Sequence, residues 1–241
     1  MGAGGKLGGE SMRVQSDYIN YDKVDEKTRA SMDRLFSAPR RGYWERKRAF
    51  DILVSLAMLI VLLPLFIIVS VVIVIDDPHA GPMFKQRRVG RHGVEFTMYK
   101  FRTMVANAEQ LKDSLRGQNE MDGPVFKIKD DPRITRVGRF LRATSIDELP
   151  QLFNVLRGDM SLVGPRPPLP DEVAQYDDYE RLRLVVTPGL TCLWQISDNR
   201  NEIPFEEWVE MDIDYIEHRT AVGDIVIMFK TAMAMIGKEG R

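Results

Sequence analysis

ILVSLAMLIVLLPLFIIVSVVIVI, residues 52–75, contains no charged side chain, and 19 of its 24 residues are Leu, Ile, Val or Phe. About 20 apolar residues suffice to cross a bilayer. On an insertion scale of roughly −0.3 to −0.6 kcal/mol per such residue, the run favours the membrane by up to about 6–11 kcal/mol. It starts too far into the chain, and runs too long, for a secretory signal. Pro64 stands at its middle. Proline removes a helix hydrogen bond and crowds the preceding turn, so a kink or break is expected there.

The flanks sharpen this reading. Arg46, Lys47 and Arg48 precede the run, and Lys85, Arg87, Arg88 and Arg91 follow it. Positive flanks prefer the cytoplasm. A straight span exports one of them, whereas a helix bent back at Pro64 exports neither. A re-entrant helical hairpin is therefore favoured, with a kinked single crossing as the alternative.

Outside the run the chain reads as an ordinary folded protein. Its 241 residues are 44 % hydrophobic and 29 % charged, enough for one core. The net charge of −1 hides a segregation: cations crowd 40–48 and 85–102, and acids dominate 171–217. The single cysteine, Cys192, excludes an internal disulfide and is read as a packed thiol. No Cys/His cluster with metal spacing is present, and no nucleic-acid partner is expected.

Residues 1–16 read as a disordered, Gly-rich stretch. Residues 22–36 read as a polar helix whose Val24, Met32 and Leu35 are too sparse to bury much. Two strands are expected in PMFKQRRVG (82–90) and EFTMYKFRTM (95–104), around a Gly90–Gly93 turn. A helix is expected over 104–116, a loop from Gly117 to Gly123, and a turn at Asp131-Pro132 before a basic helix or strand.

SIDELPQL (145–152) places Asp147 beside Glu148. Ser145 with Glu148 three residues on is a capping box. Leu149, Leu152, Phe153 and Leu156 then mark one helical face, and Gly158 closes the helix. A second reading starts the helix near Asp147, because Pro150 belongs in a first turn. Both acids then meet a positive helix end, a natural phosphate site. Adjacent helix residues do not face each other, so one carboxylate can react while the other holds a metal. In LVGPRPPLP (162–170) the prolines stiffen the backbone around Arg166, a ready phosphate ligand. A solvated arginine on a proline-rich turn is the alternative.

KFRTM, SIDELPQLFNVLRGDMSLVGPRP, TPGLTCLWQIS and RNEIPFEEWVEMDIDYI together resemble the monotopic phosphoglycosyl transferases, bacterial sugar transferases that initiate polysaccharide assembly. The likeness runs from about Lys47 to the C-terminus. The fold class it implies is α+β: a helix-rich cytoplasmic domain with a small antiparallel sheet, anchored by a re-entrant hairpin broken at Pro64. The domains would be an accessory tail (1–45), the membrane element (46–80) and the catalytic domain (81–241), with no room for the extra segments of larger members. The implied reaction moves a sugar 1-phosphate from a UDP-sugar to undecaprenyl phosphate, with UMP released and Mg²⁺ required.

The resemblance makes Asp147 the nucleophile of a covalent phosphosugar intermediate and Glu148 the Mg²⁺ ligand. Lys100, Arg142 and Arg166 would bind phosphate. Arg200, Asn201 and Asp212 would line the substrate site. It places the chain at the cytoplasmic face of the bacterial inner membrane, in contact with lipid and compatible with a homo-oligomer. Two departures stand out: Asp198 and Asn199 precede Arg200 where the family often has Gly, and Leu63 precedes Pro64 where some members have Ser. A UDP-releasing glycosyltransferase and a non-catalytic scaffold are the alternatives.

Overall fold

The computed structural model describes residues 19, 23–37, 42–118, 128, 130–197 and 203–236. Helix α1 (Glu26–Ser37) precedes α2 (Tyr43–Val61) and α3 (Leu63–Asp76). The apolar run breaks where its proline demands. Pro64 lies in the first turn of α3, where a missing N–H breaks no helical bond. Leu62 still donates to Met58 O, and the axes of α2 and α3 then diverge by 61°. Among the described residues no single helix is long and apolar enough to cross a membrane; the bent pair qualifies together by length and composition.

Both ends of this elbow are fastened to one folded body. At the α2 end, Arg48 donates to the carbonyls of Val155 and Leu156, and Lys47 pairs with Asp224 at 2.8 Å. Asp51 accepts from Ser161 Oγ at 2.7 Å and from the Leu162 amide. At the α3 end, Arg102 donates to the carbonyls of Asp77 and Ala80 at 2.7 and 2.6 Å. Val69 and Ile73 are buried with Phe101 and Leu141, while Val61 and Ile75 near the bend and the end stand 74 % and 75 % exposed.

Strands β1 (Met83–Val89) and β2 (Glu95–Phe101) form the expected antiparallel hairpin. Its turn uses positive φ at His92 and Gly93. The register pairs Phe84 with Lys100, Gln86 with Met98 and Arg88 with Phe96. Side chains alternate along strands, so these six share one face.

The helix expected over 104–116 is much shorter. Met104 bridges Ile134 and stays extended, leaving α4 (Ala108–Lys112) and a 3₁₀ continuation to Gln118. After the turn at Asp131-Pro132, Thr135 caps α5 (Arg136–Ala143) by accepting from the Gly138 amide at 2.9 Å. A Cβ on Gly138 would lie 2.0 Å from Thr103 O, so only glycine lets α5 lie this close to the chain leaving β2.

Helix α6 (Gln151–Arg157) ends as expected, on Gly158 with φ of 94°. The chain then forms β3 (Ser161–Val163), the short helices α7 (Pro170–Val173) and α8 (Asp178–Arg181), and β4 (Gly189–Thr191). β3 and β4 pair in parallel, a second small sheet. Helices α9 (Phe205–His218) and α10 (Ala221–Ile236) close the fold. Leu152, Val155, Met160 and Leu162 form the central core with Phe96 and Met98. The expected apolar face of α6 is divided, since Phe153 is 45 % exposed and meets Phe66 of α3 edge-on.

The leading helix corrects one expectation. Met32 and Val24 are buried, at 1 % and 7 % exposure, in a cluster with Trp194, Phe205 and Trp208. Ile19 is buried in the same cluster, and Leu35 and Phe36 pack against it, so the segment buries more than its sparse pattern suggests. Lys27–Glu210 and Arg34–Glu217 pairs fix α1 along α9. Cys192 is a buried free thiol, as expected. The reading of residues 1–16 and the Gly117–Gly123 loop beyond Gln118 lie outside the described residues.

Candidate active site

The two acids sit on a 3₁₀ turn, Ile146–Glu148, ahead of α6 rather than within it. Ser145 takes a left-handed conformation, φ 53°, and its side chain caps nothing. Pro150 is the residue that precedes α6. Neither the capping box nor a helix starting at Asp147 is formed, because the left-handed residue turns the chain sharply and the proline delays the helix.

This tight turn directs the two carboxylates into different surroundings. Asp147 is 8 % exposed. Burial raises its pKa to about 6, with the Glu148 charge adding and Lys100 and Arg142 opposing. Burial also works against ionised Glu148, but Lys100, Arg166 and Arg88 outweigh it and hold Glu148 below the usual carboxylate range. Lys100 Nζ stands 2.6 Å from Glu148 Oε1. The geometry that allows this is set by Asn154 of α6. It is fully buried, accepts from the Tyr99 amide at 3.0 Å and donates to Thr97 O at 2.7 Å, locking α6 to the free edge of β2.

Glu148, Lys100 and Arg166 line a cleft of about 260 Å³ together with Arg88, Gln151 and Gln195. Asp147 is not among its lining residues. Arg166 also lines a neighbouring cleft of about 230 Å³ with Glu172, Tyr176, Arg183, Phe205 and Trp208. The proline-rich segment thus presents Arg166 to both openings. Arg142, at the end of α5, anchors its Nε on Thr103 Oγ1 at 2.9 Å, and its charge opposes the rise in the Asp147 pKa.

Asp212 lies behind the second cleft. It is 1 % exposed and paired with Arg183 at 2.6 Å, so Arg183 and not Asp212 faces the opening. Arg200 and Asn201 fall outside the described residues. Sequence reasoning passed over Arg88, Arg183 and Tyr176 as site residues. Arg88 was within reach: strand alternation in the 84/86/88 and 96/98/100 positions sets it on the face that carries Lys100.

Among the described residues no three His, Cys, Asp or Glu side chains gather to hold a metal. Magnesium does not need such a cage. It takes one or two carboxylates and completes its shell with water and substrate phosphate. Glu148 offers one such carboxylate, with its Oε1 held by Lys100 Nζ at 2.6 Å.

A buried carboxylate of raised pKa, a second carboxylate kept ionised and the cations Lys100, Arg88, Arg166 and Arg142 near them make a centre suited to anionic ligands. The sequence profile of the bacterial sugar transferase family matches residues 42–238, and the chain belongs to that family. It is 47 % identical over 202 residues to an undecaprenyl-phosphate galactose phosphotransferase of Salmonella typhimurium, covering 80 % of this chain and 41 % of the relative. It is 50 % identical over 157 residues to the galactosyl transferase CpsE of Streptococcus agalactiae, covering 65 % and 35 %. With the exopolysaccharide production protein ExoY of Sinorhizobium fredii it shares 41 % identity over 199 residues, covering 80 % and 87 %. The chain therefore spans about two fifths or less of the first two relatives and most of the third.

Proposed function

We propose that this protein transfers a sugar 1-phosphate from a UDP-sugar to undecaprenyl phosphate and releases UMP, the first membrane step of a polysaccharide or glycoconjugate pathway. The observation that carries the reading is the division of the two carboxylates on one turn, with Lys100, Arg166 and Arg88 gathered around Glu148. The names of the Salmonella relative and of a UDP-galactose-lipid carrier transferase of Erwinia amylovora, 41 % identical over 199 residues, favour galactose as the first donor to try.

The chemistry follows from the two environments. A carboxylate whose pKa is raised to about 6 is ionised at pH 7 and more nucleophilic than an ordinary one. An Asp147 oxygen attacks the phosphorus that bears the sugar. The bond from that phosphorus to the oxygen shared with UMP breaks, and its electrons leave with UMP. A phosphate oxygen of undecaprenyl phosphate then attacks the same phosphorus, and Asp147 departs as a free carboxylate. Arg142, Lys100 and Arg166 hold the phosphate oxygens while charge moves across them. Glu148 would hold Mg²⁺, which supplies charge neutralisation for the phosphates when bound.

The elbow answers how a lipid reaches this site. One folded body cannot lie on both sides of a bilayer, and residues at both ends of the elbow are bonded to the same body. This supports a re-entrant anchor over a crossing, at the cytoplasmic face of the bacterial inner membrane, where soluble UDP-sugars are found. Phe229, 67 % exposed on α10, Phe140 on α5 and Phe153 offer further apolar surface for the interface.

The test is the nucleotide released when purified protein meets UDP-galactose, other UDP-sugars, undecaprenyl phosphate and Mg²⁺. UMP is expected. Release of UDP would mean that sugar moves without its phosphate, and release of neither across a broad donor panel would favour a scaffold.

A further inference from the structure

Arg88 is 5 % exposed and forms no direct ion pair among the described residues; Glu172 and Glu148 act on it only from a distance. Its Nε and Nη2 donate to Gln86 Oε1 at 3.1 and 2.8 Å, and its Nη1 donates to Pro167 O at 2.9 Å. A guanidinium has five N–H groups, so two remain for the cleft that Arg88 lines. Burial, and then the nearby Arg166 charge, press Arg88 down to about 10 against the opposing pull of Glu172 and Glu148. Burying a charge without a partner is costly. The neutral acceptors fix the orientation of this one without neutralising it. A cation so held, beside Lys100 and a second arginine, is built to receive an anion.

The position selects which anion. Arg88 and Arg166 line one cleft with Glu148 and Lys100, whereas neither Asp147 nor Arg142 is among its lining residues. In the proposed reaction the transferred phosphorus must meet Asp147. The other phosphate of the donor then falls on the opposite side. Resting on that reaction, we infer that Arg88 is a substrate-binding residue that holds, with Arg166, the phosphate of the departing nucleotide.

Arg88 also stitches the fold, since its bond to Pro167 O runs beside a Val89 amide bond to Pro168 O at 2.9 Å. The experiment must therefore separate anion binding from loop support. Arg88→Gln and Arg88→Lys are compared with the wild type in full-length protein, using the UDP-sugar that turns over, UMP as product inhibitor and undecaprenyl phosphate. The Gln variant should raise KM for the UDP-sugar and weaken UMP inhibition, each by about ten-fold or more, the scale of a lost charged hydrogen bond. The Lys variant, which keeps a charge but not the fork, should fall between. The in-line second step brings the lipid phosphate to the position that UMP vacates, so KM for undecaprenyl phosphate should rise as well. Unchanged UMP inhibition would overturn the inference, as would an Arg88→Lys variant weakened toward UMP as much as Arg88→Gln, the mark of lost loop support rather than lost charge. Should Arg88→Gln fail to fold, the Lys variant carries the same comparison. Wild-type release of UDP in place of UMP, read before any variant, would strike the functional reading itself.

Discussion

Lys100 Nζ and Glu148 Oε1 stand 2.6 Å apart, joining the end of strand β2 to the turn that carries both acids. The pair is only partly buried, at 19 % and 29 % side-chain exposure, so a ligand can reach it. It keeps Glu148 ionised and leaves Asp147 as the carboxylate that titrates near neutrality.

Lys100→Met should remove both services. Activity is expected to fall by about 10²–10³, the scale of losing one group that stabilises transition-state charge. Glu148 should bind its proton more tightly once Lys100 is gone. A pH–rate profile of the variant should therefore move its acidic limb upward; an unmoved limb with full activity would dismiss the pair as a surface bridge.

The raised pKa of Asp147 makes opposite predictions for activity and stability. The folded state holds this proton more tightly than the unfolded state, so folding stability falls as pH rises from about 4 to about 6. Activity should rise through the upper end of that window, as the carboxylate ionises. Asp147→Asn should abolish turnover yet melt higher than wild type above pH 6, with the difference fading toward pH 4. Thermal melts of both proteins across pH 4–8 read the effect. A variant less stable than wild type at pH 8 would contradict it.

Gly138→Ala tests how Arg142 is placed. The added methyl meets Thr103 O at 2.0 Å, backbone against backbone, and α5 must shift. A loss of about 1–3 kcal/mol is expected, as for other overpacked sites, with a fall in kcat because Arg142 moves with its helix. Denaturant melts with kinetics on the same sample measure both.

Lys47→Met tests the root of the elbow. Asp224, itself 4 % exposed, receives Lys47 Nζ at 2.8 Å, Tyr43 OH at 3.1 Å and Tyr215 OH at 2.8 Å. Removing the cation leaves a buried carboxylate, a loss of about 3–5 kcal/mol. Lys47→Met with Asp224→Asn together should recover part of it, because the second change removes the stranded charge. Chemical unfolding of the two variants checks this.

The features that were legible in sequence are those a local rule can carry. Pro64 announces the break, the Gly90–Gly93 turn announces the hairpin, and Gly158 ends its helix. Three things needed the third dimension. Met32 looks idle along the chain and is buried because Trp194 and Trp208, more than 160 positions later, stack at 4.2 Å beneath the same cluster. Ser145 looks like a cap, but its left-handed backbone turns the acids out of the helix. Asp212, marked by resemblance as a site residue, stands behind Arg183, and only tertiary packing reveals which of the two faces the cleft. Lys100, Glu148 and Arg166 come from three separate elements, and the fold gathers them around one opening.

The central claim is that Asp147 carries the phosphosugar. The most direct measurement is intact-protein mass spectrometry after mixing the enzyme with UDP-sugar and Mg²⁺ and withholding undecaprenyl phosphate. The account predicts an added mass of one sugar phosphate, mapped to Asp147, discharged by later addition of undecaprenyl phosphate and absent in Asp147→Asn. An enzyme that turns over fully yet never gains that mass, or gains it in Asp147→Asn, would contradict the account.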